Sequence, residues 1–396
     1  MIPNIPQIAS PERFADFDLP KEKIEYALSE ALKKIDMALP SFIDKFPSHS
    51  SQNNVYTQVE NNSGWNTGFW SGILWHAYEL TGDEKYKKVV LEHHVPTFLY
   101  RIENKLGVNH HDMGFLYSLS CVAAWKLAKC EDAKKAAILA ADNLISRYKD
   151  NGKFLQAWGN VNDPKDNRLI IDCLLNIPLL YWTSEVTGDP KYDEMAWNHF
   201  NTTVEVCCRA DASTYHTFYF DPDTGAPVKG VTHQGAFDES AWARGQAWGI
   251  YGPMLTRTYK ESDKALSIFK ATANYFLNHL PADYIPYWDL CFTDGDDEPR
   301  DSSSAAIALC GMLEAIKYMD EGDELKKIYV NAIKRIMNSL IDNYLTKDIP
   351  ESNGLLLHAT YAKPQGIGID ELNIWGDYFY MEALHRMLDP EWKLYW

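Results

Sequence analysis

The chain has 396 residues, 46% of them hydrophobic, and its 38 Lys+Arg against 55 Asp+Glu give a formal net charge of −17. That balance excludes a basic nucleic-acid binder, since nothing concentrates positive charge against phosphate. The length supports a substantial core, and 13 Trp, 23 Tyr and 16 Phe must fill that core or line a surface that grips flat ligands such as sugar rings.

Along the chain an apolar or small-residue helix, a short polar turn and an amphipathic helix recur. An outer helix is expected near 22–46, followed by an inner one at 67–80. The turn Thr81-Gly82-Asp83-Glu84-Lys85-Tyr86 then leads to an outer helix at 84–103. An inner helix at 112–128 is paired with an outer one at 131–148, where Ala133, Ala136, Ala137, Ala140, Ala141 and Leu144 make the apolar stripe. The run 169–186 is apolar almost all round and reads as a buried inner helix. It ends at Thr187-Gly188-Asp189-Pro190, a second copy of the first turn, which opens an outer helix at 190–209.

Segment 210–238 resists helix. His216-Thr217-Phe218-Tyr219-Phe220 and Pro227-Val228-Lys229-Gly230-Val231 flank a turn and predict a β-hairpin near 215–231 over one end of the molecule. Inner helices at 240–258, 302–318 and 373–387, with outer ones at 263–279 and 324–345, complete the series. Six buried helices alternating with six amphipathic ones predict an all-α (α/α)6 barrel, a six-hairpin double toroid, as a single domain over 1–396; a solenoid of the same hairpins is the alternative.

The seven cysteines, Cys121, Cys130, Cys173, Cys207, Cys208, Cys291 and Cys310, lack CxxC spacing and read as free thiols of a reducing compartment. With no charged-then-apolar leader and no long uninterrupted apolar run, the expectation is a soluble cytoplasmic protein without a membrane span. The pairs His93-His94 and His110-His111 lack helical ligand spacing, Asp294-Gly295-Asp296-Asp297-Glu298 lacks the EF-hand order, and no P-loop or GxGxxG is present. Neither metal nor other cofactor is expected.

Chemistry-bearing clusters precede or open the inner helices, and in a ring of parallel inner helices they converge on one mouth: Asn61–Asn66, Asn109–Asp112, Asp172, Asp238–Arg244, Arg300–Ser302 and Asp370–Trp375. Asp172 stands inside Leu169-Ile170-Ile171-Asp172-Cys173-Leu174-Leu175. Burial there raises its pKa and suits a proton donor, the structural alternative being a helix-bonding acid. Asp112 is a second carboxylate or a plain N-cap. Arg244 on a buried helix needs an anion, either a substrate carboxylate or an internal acid such as Asp238. Trp248, four residues on, is a sugar platform or a core residue.

Taken together, Trp65-Asn66-Thr67-Gly68-Phe69-Trp70-Ser71-Gly72, His110-His111-Asp112-Met113-Gly114-Phe115, Leu169-Ile170-Ile171-Asp172, His216-Thr217-Phe218-Tyr219-Phe220-Asp221, Ser240-Ala241-Trp242-Ala243-Arg244-Gly245-Gln246-Ala247-Trp248-Gly249 and Asn373-Ile374-Trp375-Gly376-Asp377-Tyr378 closely resemble the unsaturated glucuronyl hydrolases. The resemblance covers nearly the whole chain. It implies the (α/α)6 fold and release of the 4,5-unsaturated uronic acid that polysaccharide lyases leave at the non-reducing end of glycosaminoglycan-type di- and oligosaccharides, by hydration of the C4=C5 bond.

By that resemblance Asp172 delivers a proton to C4 and handles the water that attacks C5, and Asp112 is the second essential carboxylate. Gly230, Thr232, Gln234, Arg244, Trp248 and His216 are implied substrate contacts, with Trp65 and Trp158 as ring platforms. Relatives that favour sulfated fragments carry Ser-x-x-Ser-x-Lys where this chain has Ala362, Gln365 and Ile367, a departure that argues against sulfate preference. Competing readings are an unsaturated rhamnogalacturonyl hydrolase, a sugar 2-epimerase using His216 and His233, and a non-catalytic sugar-binding toroid.

Overall fold

The computed structural model describes residues 3–396. Inner helices Thr67–Thr81, 113–128, Pro178–Thr187, Ala243–Tyr259, Ser302–Ala315 and Ile374–Leu388 pack each on the next, and the last packs on the first, so the ring closes. Closure decides against the open solenoid. Every residue from Ala243 to Thr256 and from Ser302 to Ala315 is buried, as a helix enclosed on all sides requires. The outer layer is formed by Lys21–Ala38, 84–103, Glu131–Ile145, Pro190–Cys207, Asp263–Asn278 and Glu324–Asn343. Helix Glu131–Ile145 buries the alanine stripe read from the sequence.

The repeated turns close as their residues dictate. Gly82 and Gly188 take left-handed φ values of 69° and 74°, and the Asp83 and Asp189 side chains accept from the N–H groups of Lys85 and Lys191 at 3.0 Å. Asp323 and Ser262 cap the last two outer helices in the same way. All seven cysteines are free. Among the described residues no helix is long and apolar enough to cross a membrane.

Four of the expected helices differ from the sequence expectation. The run 169–186 is not one helix: Arg168–Ile170 is a strand, Ile171–Leu175 a 3-10 segment, and the α-helix starts at Pro178. A short apolar run suits a buried strand as well as a buried helix, and here the Thr217–Phe220 edge supplies a partner, with Leu169 opposite Phe218. The expected hairpin is therefore two strands of a three-stranded antiparallel sheet, in which Thr217–Phe220 also pairs with Pro227–Val231. The first outer helix stops at Ala38, before Pro40, and Phe46–Pro47 pairs with Gln58–Val59. Finally, π-turns interrupt 84–103 at Val90–His94 and 113–128 at Ser118–Val122; the first is followed by Pro96, which has no N–H to continue the ladder.

Candidate active site

The segments that open the inner helices at Thr67, Met113 and Ala243 meet Asp172 and the sheet at a cavity of about 310 Å³, the lower end of small-molecule sites; the helix starts at Ser302 and Ile374 are not part of its lining. Two local features bring its carboxylates together. Gly114 lies so close to the 175–176 backbone that a Cβ there would stand 2.4 Å from Asn176 Cα, and Phe115 N–H donates to Asn176 Oδ1 at 2.9 Å. The helix that Asp112 precedes is thereby clamped to the turn that follows Asp172. On the other side, Ile171 N–H donates to His216 O at 3.0 Å, fixing the 3-10 segment to the sheet.

Asp112 and Asp172 have side-chain exposures of 13% and 19%, both toward the cavity. Burial pushes Asp172 well above the ordinary carboxyl range, and the negative charge of Asp112 adds to the rise, outweighing Arg244. Burial acts on Asp112 in the same direction, but His111, His110 and Arg147 outweigh it, and its pKa falls below the ordinary value. Neighbouring carboxyls held apart in this way divide into one protonated acid and one carboxylate.

His111 lies between them, with Nε2 3.3 Å from Asp172 Oδ1 and 3.4 Å from Asp112 Oδ1. Burial brings its pKa down to about 4, so the ring is neutral at pH 7. Among the described residues this is the one place where three such side chains bring ligating atoms within 4.8 Å of one another.

Arg244 is buried, and its ion-pair partner is Asp301 at 2.8 Å, not Asp238, which accepts instead from Thr232 N–H. Nη1 also donates to Thr360 O and Nη2 to Tyr361 O, so three of the five N–H groups are taken and two remain. Trp248 is 2% exposed and sits against Phe115 and Phe379, yet it lines the cavity, so the platform and core readings both describe it. His216 Nδ1 accepts from His233 N–H at 3.0 Å, which puts the proton of the neutral ring on Nε2; burial holds its pKa well below the usual value. Gln234 Nε2 donates to Tyr361 O at 3.1 Å, and Gln365 Nε2 donates to His233 O, tying the two loops across the rim.

Trp65, Trp158, Ala362, Gln365 and Ile367 line the same cavity, whereas Gly230 and Thr232 stand outside its lining. Gly230 is packed on the Tyr215 ring, and the Thr232 hydroxyl accepts from Gly235 N–H at 2.8 Å.

The model of Glycosyl Hydrolase Family 88 matches residues 34–389. The chain belongs to that family. It is similar to the unsaturated chondroitin disaccharide hydrolase of Streptococcus pyogenes serotype M1, 47% identical over 98% of this chain and 97% of the relative. To the unsaturated glucuronyl hydrolase of Bacillus sp. strain GL1 it is 43% identical, over 92% and 96%. The crystal structure of unsaturated glucuronyl hydrolase from Streptococcus agalactiae superposes with a TM-score of 0.97 at 45% identity, covering 100% of this chain and 99% of that one. A variant of that enzyme has been solved with dGlcA-GalNAc6S. This chain is thus a glycoside hydrolase of the (α/α)6 type.

Sequence reasoning missed one residue of this family-88 site and one that lies beneath its lining. His111 reads in the sequence only as half of a histidine pair without ligand spacing, and the fold places its ring between Asp112 and Asp172. Arg168, buried beneath Trp158, has Cζ 3.5 Å from the ring centroid and Nε and Nη2 without partners; its position just before an apolar run was the available signal.

Proposed function

We propose that the chain releases 4,5-unsaturated glucuronic acid from the non-reducing end of lyase-generated, glycosaminoglycan-type disaccharides, by hydrating the C4=C5 vinyl ether. The observation that carries this reading is the pair of neighbouring carboxyls with opposed pKa shifts at one small cavity. Protonating a vinyl ether carbon creates an oxocarbenium-like cation, so the reaction needs a carboxyl kept neutral by burial beside one kept ionised by its neighbours.

Asp172 gives its proton to C4, and the double-bond electron pair forms the new C–H bond. Asp112 stabilises the positive charge shared by C5 and the ring oxygen. Water adds at C5 and loses a proton to Asp172, restoring the acid. The resulting hemiketal opens and frees the neighbouring sugar. The two open N–H groups of Arg244 serve the substrate carboxylate, the neutral His216 offers its Nε2–H, and Trp65, Trp158 and Trp248 supply ring faces. Residues 1–396 act as one catalytic domain, and the seven free cysteines support a cytoplasmic location.

The sugar 2-epimerase alternative finds little support, because His216 and His233 both have lowered pKa values and His216 Nδ1 is occupied by a backbone donor. A panel of lyase-generated disaccharides from glycosaminoglycans and from pectin, followed by loss of C=C ultraviolet absorbance, tests the proposal. Glycosaminoglycan disaccharides are expected to be consumed fastest; preference for the pectin member, or turnover without loss of absorbance, contradicts it.

A further inference from the structure

His111 has no part in the reaction as written, yet it stands between the two groups that perform it. Its side chain is 1% exposed, and its Nδ1 has no hydrogen-bond partner. A neutral ring has two tautomers, and here they are unequal. A proton on Nδ1 leaves a buried N–H without an acceptor and turns the Nε2 lone pair toward the ionised Asp112. A proton on Nε2 points the N–H into the gap between the carboxyls and leaves one acceptor nitrogen unpaired. The second arrangement removes the repulsion and sets the N–H 3.4 Å from Oδ1 of the charged neighbour. Asp172 Oδ1, 3.3 Å from that Nε2, is itself buried without a hydrogen-bond partner. The oxygen that bears charge once the proton has left therefore has a donor within reach.

We propose that His111 is a positioning residue whose Nε2–H, shared toward Asp112 in the resting enzyme, is taken up by Asp172 Oδ1 as Asp172 protonates C4, stabilising the carboxylate that forms in the transition state. The Asp172 O–H bond breaks and the C4–H bond forms from the C4=C5 electron pair, while the N–H bond of His111 stays intact throughout. The interaction strengthens only as charge develops on Asp172, so it acts on kcat more than on binding.

Other charges around the pair keep their places in this scheme. Arg244 faces Asp172 from the helix Ala243–Tyr259, and Arg147, Arg168 and His110 act on His111 from the outer helix end, the sheet and its own segment. His199 and His216 approach from the outer helix Pro190–Cys207 and the sheet, with His111 charge opposing protonation of each; the half-buried Tyr361 and the buried Cys173 are near both carboxyls.

The inference rests on the proposed role of Asp172, and the test separates the two. The pH dependence of kcat is measured for the full chain and for Asp172→Asn, His111→Asn and His111→Gln, with an unsulfated unsaturated disaccharide followed by absorbance. Asn is too short to place an N–H at the Nε2 position, whereas Gln can reach it. His111→Asn is expected to lower kcat by about 10- to 100-fold, with KM changed less than about twofold. It also moves the alkaline limb to higher pH: Asp172 must be protonated to act, and its ionised form, having lost a donor, becomes harder to reach. His111→Gln restores most of kcat and the original limb.

An unmoved limb in His111→Asn, or a His111→Gln enzyme no better than His111→Asn, overturns the inference. Should His111→Asn be insoluble, His111→Leu is read by the same criteria. Full activity in Asp172→Asn would instead overturn the role of Asp172, whereas an inactive Asp172→Asn with an unmoved limb in the His111 variant overturns only the inference.

Discussion

At the C-terminal ends of the inner helices Glu382 and Glu314 are as deeply buried as anything at the active mouth, yet each has its partners in place. Arg386 donates to Glu382 at 2.9 Å and to Glu314 at 2.7 Å, and Tyr378 and Trp396 donate to Glu382 at 2.8 and 2.9 Å. Burial acts to raise Glu314, but Arg386, Lys317 and Tyr318 together outweigh it and the pKa falls. At the opposite mouth Asp172 is left with an unpartnered oxygen and a raised pKa. The larger cavity, about 860 Å³, is at the paired end, so size does not mark the chemistry. Burial alone does not distinguish a structural acid from a reactive one; the supply of donors does.

The sharpest way to break this contrast is Asp172→Asn. Turnover is expected to fall by a factor of about 10² or more, because the amide has no acidic proton to give. Stability moves the other way. The folded-state pKa of Asp172 lies above its ordinary 3.8, so folding is favoured while the group is protonated, and that contribution is lost as pH rises from about 3.8 through the folded value. Asn cannot ionise. Melting curves at pH 5 and pH 8 should therefore show wild type losing ground to the variant at the higher pH. A variant that melts below wild type at both pH values and loses more at the higher would place Asp172 in the class of Glu382.

The mirror experiment is Glu382→Gln, which leaves Arg386 buried with one acid in place of two. A loss of about 2 kcal/mol in stability is expected, with kcat of the folded fraction near wild type, checked by urea denaturation and by initial rates. Arg244→Lys has a smaller, mixed effect. A single ammonium cannot reproduce bonds to Asp301, Thr360 and Tyr361 while keeping N–H groups for a substrate, so KM should rise about tenfold with a modest loss of stability. Unchanged KM with lowered stability would make Arg244 purely structural.

The sequence was most informative where periodicity and capping agreed. The Thr-Gly-Asp turns, the alanine stripe and the all-apolar inner helices located the barrel, because each carries its own local physics. It was least informative around Asp172: the run 169–175 satisfies strand and helix alike, and only the partner edge at 217–220 chooses between them, although Pro178 marked the true helix start. Within the site, Asp172 was legible as an acid out of place in an apolar run, whereas Trp65 and Trp158 came only from the resemblance to the unsaturated glucuronyl hydrolases. The partner of Arg244 was not legible, since Asp301 is 57 residues away and the nearer Asp238 looked equally suitable. The same holds for Arg168, whose use depends on Trp158 folding over it.

The smallest expected effect concerns the rim, where the two ends of the molecule differ again: cations cluster at the paired end, and the active mouth offers few. Ala362 and Ile367 pair through their backbones, closing a tight turn whose side chains are a methyl and a 42% exposed isoleucine. Gln365 is committed to His233 O. Lys363, the one cation of that turn, is bound to Glu298 and lies over the Trp288 ring at 5.4 Å, away from the cavity lining. A sulfate on the leaving sugar would lose water there without gaining a charged donor, and desolvating an anion without compensation is unfavourable. Unsulfated disaccharides should therefore be turned over with kcat/KM about threefold or more above their 6-sulfated counterparts. Ile367→Lys should narrow the gap by adding a cation at a position that lines the cavity. A matched pair in which the sulfated member is hydrolysed at least as well by the unaltered chain would mean that Lys363 leaves Glu298 for the substrate, and Lys363→Met would then abolish that advantage.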